Sequence, residues 1–157
     1  MNRSIIWFAR SIGVALLLVG ILVSRAEAGR KFYLTQGVFV GNEALTACAK
    51  GYHMASLWEI FNVSAMTYNT KLGASLDDSG SGPSVLAGWV RTGFVGSASS
   101  SPGSGNCRVW TSASSADEGS LVNLTNDWQG ASNKTAPWDA SAAICSNTHH
   151  VWCVAGK

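Results

Sequence analysis

Charge is scarce in this chain. Charged residues make up 13% of it, 11 basic against 9 acidic, and nowhere do the lysines and arginines gather into a run or patch. Binding to a phosphate backbone rests on such a footprint, so a nucleic-acid partner is not expected. Catalytic signatures are missing too: there is no G-x-S-x-G nucleophile turn, no H-E-x-x-H metal helix and no phosphate-cradling glycine loop. Carboxylates occur in pairs, but no spacing sets a glycosidase pair apart from surface charge. The chain is therefore not expected to be an enzyme. No cysteine follows the N-terminal apolar run, which excludes a lipoprotein anchor there, and no internal repeat points to a solenoid.

What is present begins with that N-terminus. Two arginines in MNRSIIWFARS precede the uncharged run from Ile12 to Val23, and Ala26 and Ala28 then supply an A-x-A pattern. This is the order of a secretory signal peptide, and the run is shorter than the roughly 20 residues a spanning helix needs. Residues 1–28 are thus read as signal and 29–157 as one domain, secreted or periplasmic, without membrane attachment after cleavage. Three of the eleven basic residues and one of the nine acidic ones leave with the signal, so the remainder is formally neutral. Its length suits a single core. Cys48, Cys107, Cys145 and Cys153 all lie in the exported part; an even count in an oxidising compartment implies two disulfides, with three pairings open.

Patterning along the chain predicts an opening strand in KFYLTQGVFVG and a first helix in EALTACAKG, with Gly51 placed to end it. Ser56 and Glu59 form an S-x-x-E capping box, which predicts a second helix to about Ala65 with Leu57, Ile60, Phe61 and Ser64 on its inner side. Strands are expected around Trp89, in CRVWTS, in LVNLTNDW and in HHVWCV; in the last, His150 and Trp152 share one face, and His149, Val151 and Cys153 the other. The stretch from Gln129 to Ala143 reads as mostly irregular, and GSASSSPGSG as loop. Helices early and short strands late favour an α+β fold. Trp58, Trp89, Trp110 and Trp152 are expected in the core.

These residues together resemble the C-type lectin-like domain family. NEALTACAKGYHMASLWEI is similar to that family's first-helix cysteine, small strand and second helix; GWVRTG to its tryptophan-containing core strand; and CSNTHHVWCV to its two closing cysteines. NCRVWTSASSADEG resembles the bacterial lectin-like domains more than the animal lectins. The resemblance implies two short helices and small antiparallel sheets with long loops, and disulfides Cys48–Cys153 and Cys107–Cys145. The family's sugar-binding members carry Glu-Pro-Asn or Gln-Pro-Asp followed later by Trp-Asn-Asp, and neither motif is present here. Trp138-Asp139 lacks the asparagine, and Asn126-Asp127 precedes Trp128 in the reverse order, so the family's usual calcium-dependent sugar route is not expected.

The candidate ligand-binding residues are Trp128, Trp138, Asn126, Asp127 and Asp139, in the segment where the family builds its ligand surface. Indole rings stack on sugar C–H faces or anchor protein partners. The expected partner is a protein or a cell-surface glycan. No cofactor is assigned; calcium is the one ion the loop acids suit, best near Asn126, Asp127 and Asp139. Cys145, His149 and Cys153 offer three zinc ligands on paper, but adjacent histidines on a strand point to opposite faces and exported thiolates oxidise, so disulfides are the expected state and no metal is assigned.

Overall fold

The computed structural model describes residues 29–75, 86–92, 105–124 and 138–156. It is an α+β fold built on a mixed sheet. The strands are β1 (Arg30–Leu34), β2 (Tyr52–Met54), β3 (Met66–Tyr68), β4 (Gly88–Trp89), β5 (Glu118–Leu124), β6 (Trp138–Ile144) and β7 (His150–Ala155). The order is β3-β1-β7-β4-β5-β6, with β2 also pairing with β7. Two of the pairings, β1 with β3 and β4 with β7, are parallel. The expected small antiparallel sheets are thus corrected to one mixed sheet organised around β7, the strand with most partners.

The β7 pattern explains its central place. Val151, Trp152, Cys153 and Val154 are all buried, and their side chains alternate between two cores. Trp152 and Val154 join Phe32, Leu34, Val122 and Leu124 on one face. Val151 and Cys153 join Tyr33, Trp89, Trp110 and Leu121 on the other. A strand apolar on both faces has to lie inside the sheet, as these residues require. Trp89, Trp110 and Trp152 are core residues, and each indole N–H donates to a backbone carbonyl: Phe39, Arg91 and Val122 respectively, all at 2.8 Å. The histidine pair, expected as one partly buried and one exposed side chain, is partly buried at both positions.

Both disulfides join this frame from outside. Cys48–Cys153 fastens the segment after the first helical turn to β7, and Cys107–Cys145 fastens the start of another turn to the residue after β6. This is the pairing the resemblance implies. Room for the second bond is made by glycine: a Cβ at Gly41 would stand 2.5 Å, and one at Gly119 2.7 Å, from Cys107 Sγ.

Helical structure is shorter than the sequence suggests. The first element is a 3-10 turn over Gly41–Thr46, which leaves Cys48 beyond its end. The second, α1 (Leu57–Ile60), has the expected capping box but lasts one turn, and a 3-10 turn at Val63–Ala65 redirects the chain. Pairing of Met66–Tyr68 with β1 follows at once and leaves no length for a longer helix. Trp138–Ile144, expected to be irregular, is a full strand paired with β5.

CRVWTS, expected as a strand, departs most. Cys107, Arg108, Val109 and Trp110 have φ of 48°, 52°, 58° and 62° and form a left-handed turn. Such a conformation costs an L-residue roughly 1–2 kcal/mol each. Offsetting it are the buried disulfide, the buried Trp110 ring and the Asn106 Oδ1, which accepts from the Val109 N–H at 2.9 Å. Val109 is 71% exposed, so its side chain contributes little packing in return. Val109→Gly should therefore raise stability by about 1 kcal/mol, since glycine occupies positive φ without steric penalty. A thermal melt checks this, and an unchanged or lower midpoint would count against the strain argument.

Candidate functional site

The sequence places ligand contacts in the region Asp117–Asp139. Asn126, Asp127 and Trp128 lie outside the described residues. The flanks are described: β5 and β6 are paired along their length, with Leu124 opposite Trp138 and Asn123 opposite Asp139. Asp139 is exposed, and by register it shares a face with Asn123, whose buried Oδ1 has no partner among the described residues.

At the other end of the hairpin, Asp117 gathers the left-handed turn. Its Oδ2 accepts from the Ser112 hydroxyl at 2.6 Å and its Oδ1 from Arg108 Nε at 3.0 Å. The Ser112 bond foremost, and Arg108 after it, hold the Asp117 carboxyl below its ordinary range. Cys145 N–H donates to the Asp117 carbonyl at 2.8 Å, which joins the hairpin base to the disulfide. Asp117 and Asp139 are thus at opposite ends of the hairpin and form no joint site. Cys145 and Cys153 are each bonded to another cysteine, so the zinc alternative fails. Among the described residues no group of three or more His, Cys, Asp or Glu is placed to hold a metal ion. No helix among them is long and apolar enough to cross a membrane.

A second polar centre lies at α1, around Glu59. Its Oε1 accepts from Arg30 Nη2 at 2.9 Å and lies 3.1 Å from His53 Nε2. Its Oε2 accepts from the Ser56 N–H at 3.0 Å and the Ser56 hydroxyl at 2.9 Å. Burial pushes the carboxyl upward, but the donors from Ser56, Arg30 and His53 outweigh it and hold the group at about 2. Arg30 also donates to the Ala155 carbonyl at 2.8 Å. One carboxylate therefore binds β1, β2 and α1, and through Arg30 reaches the end of β7.

Because the folded-state value is depressed, this stabilisation is fully present above the ordinary glutamate range near 4.5 and disappears as pH falls toward about 2. Glu59→Gln keeps the shape and removes the charge, and should cost about 2 kcal/mol at pH 7, with a smaller difference from wild type at pH 2. Chemical denaturation at the two pH values checks it. An equal deficit at both would mean the charge is not what stabilises.

Beside Glu59 stands Trp58, expected in the core and found 78% exposed. The helical period gives the reason. Leu57 and Ile60 point inward, which turns the residue after Leu57 to solvent. The inner-face pattern thus contained the signal, and the bulk of the indole obscured it. Arg30, 29 residues before Glu59, and His53, on a different strand, offered none. No family model, no curated protein and no solved structure matches the chain.

Proposed function

We propose that this chain is an exported, non-catalytic recognition module with a C-type lectin-like fold, binding a protein or cell-surface ligand through the loop region between Asp117 and Asp139. The supporting observation is the hairpin that carries this region. β5 and β6 pair over seven positions, and Cys145, directly after β6, is bonded to Cys107. Residues 125–137, with Asn126, Asp127 and Trp128, connect directly paired Leu124 and Trp138. A long connection on a stapled scaffold is the usual arrangement for recognition, because the frame supplies precision and the loop supplies chemistry. Two disulfides accord with export to an oxidising compartment.

A second reading, a carbohydrate-binding lectin assisted by calcium, is favoured by Asn123 Oδ1, a buried acceptor with no partner among the described residues, across the ladder from exposed Asp139. Oxygen donors of this kind suit a hard cation. Probing a broad glycan panel with calcium and again with chelator separates the two. Glycan binding that chelator abolishes overturns the calcium-independent reading and establishes the second. Binding indifferent to chelator supports the first, and silence in both conditions directs the search to protein partners.

A further inference from the structure

The geometry points to an interface between two copies of this chain: the outer edge of β6 pairs antiparallel with the same edge of a second copy, centred on Ser141, and the two sheets become one.

The ends of the sheet are protected unequally. A terminal strand carries a row of N–H and C=O groups that recruit another strand unless the edge is short, bulged, covered or charged. At one end β3 has three residues and starts directly from a 3-10 turn, and β2, off the main path, has three as well. β6, at the other end, has seven. Its register with β5 is one to one from Trp138 to Ile144, so no bulge turns the edge away. It contains no proline, lysine or arginine, and Asp139 near its start is its one charge. Nor is it covered among the described residues: positions 139–144 are all partly or fully exposed, whereas most of β5 is buried, and β5 is the one strand that pairs with β6.

Register and charge select a second copy as the occupant. Antiparallel pairing about Ser141 uses all seven positions, with Trp138 opposite Ile144, Asp139 opposite Ala143 and Ala140 opposite Ala142. Moving the centre by one residue in either direction cuts the ladder to five positions. The one charged residue thus meets an alanine, and no like charges are opposed. Beyond the signal the chain is formally neutral, so two copies approach without net repulsion. An unrelated extended peptide would find hydrogen bonds here, but a row of alanines and a serine gives little to select it by. Seven residues a side fall short of the roughly 20–30 of a stable interface, so the dimer is a reversible one. This pairing stands independently of the ligand reading for residues 125–137. Where that reading also holds, the two-fold sets the two Trp138 positions about 20 Å apart, and a dimer engages a repeating surface twice, which raises its apparent affinity.

Sedimentation equilibrium of the exported, disulfide-bonded protein from about 10 μM to about 1 mM tests this. Monomer and dimer should interconvert, with the dimer fraction rising across the series. Ser141 is exposed, so the single chain accommodates a charge there. Ser141→Lys nevertheless sets two ammonium groups opposite each other on the two-fold axis and should weaken association about fivefold or more. Ser141→Glu should do the same. Mixed in equal amounts, the two variants should pair with each other at least as well as the wild type pairs with itself. Should either variant melt below the wild type, the mixture still decides, because only a position that faces its own copy is rescued by opposite charges. A wild type that stays monomeric at about 1 mM overturns the proposal. So does a dimer indifferent to Ser141→Lys, or a mixture of the two variants that remains monomeric.

Discussion

Replacing Cys48 and Cys153 together by alanine should lower stability by about 4.7 kcal/mol, the entropy of closing a loop of about 100 residues. The bond spans 105 positions and joins a segment outside the sheet to the strand at its centre. Cys153 has no exposure, so the double substitution also removes sulfur from a packed core without leaving an unpaired thiol. Denaturant unfolding of oxidised wild type and the double variant measures the difference. The Cys107–Cys145 pair, spanning 38 positions, should contribute about 4 kcal/mol by the same reasoning. A loss below 1 kcal/mol on removing Cys48–Cys153 would mean that the unfolded chain is already compact around that contact.

Trp89→Ala should cost about 3–5 kcal/mol. The indole is fully buried, meets Trp110 edge to face at 5.7 Å and His149 at 4.8 Å, and donates to the Phe39 carbonyl. The truncation therefore leaves a cavity between β4 and the left-handed turn and removes one of the two donors to the Phe39 carbonyl, which keeps the His149 N–H at 3.0 Å. Trp89→Phe restores much of the volume and not the donor, so it should cost about 1–3 kcal/mol. Burial and the neighbouring His150 hold the His149 imidazole below its usual range. Opening the Trp89 contact should move His149 back toward that range, which an NMR titration of its ring protons would follow. Equal losses in the alanine and phenylalanine variants would assign the stability to the hydrogen bond instead of the packing.

Features set by neighbours in sequence were legible before the fold was known. The capping box at Ser56 and Glu59 and the two-faced alternation of β7 depend on spacings of three and two, and both are present. Features set by distant partners were not. Val109 and Trp110 are strand-forming residues by preference, yet the disulfide, the Asn106 acceptor and the pocket for Trp110 hold them in a left-handed turn. WDASAAI, with small and polar residues of low strand preference, becomes β6 because β5 pairs with it throughout, and a neighbour's ladder outweighs local preference. The candidate site divides similarly. Sequence brought out Asp139 and Trp138 but not the pairing of Asp139 with Asn123, and it gave Glu59 a local role while its bonds to Arg30 and His53 depend on the folded chain.

The bond between Cys48 and Cys153 also decides how the molecule responds to being pulled. β1 and β7 run antiparallel, and Arg30 at the start of one holds the Ala155 carbonyl near the end of the other. Tension applied between Gly29 and Gly156 would peel these strands apart one rung at a time, the weakest geometry for a ladder. Once they part, the covalent path from Gly29 to Cys48, across the sulfurs and out through Cys153 takes the whole force. Everything from Ala49 to Trp152 lies inside the closed loop and carries no tension. A ligand held on the β5–β6 hairpin would stay bound to an unstretched surface while the strands at the attachment points give way.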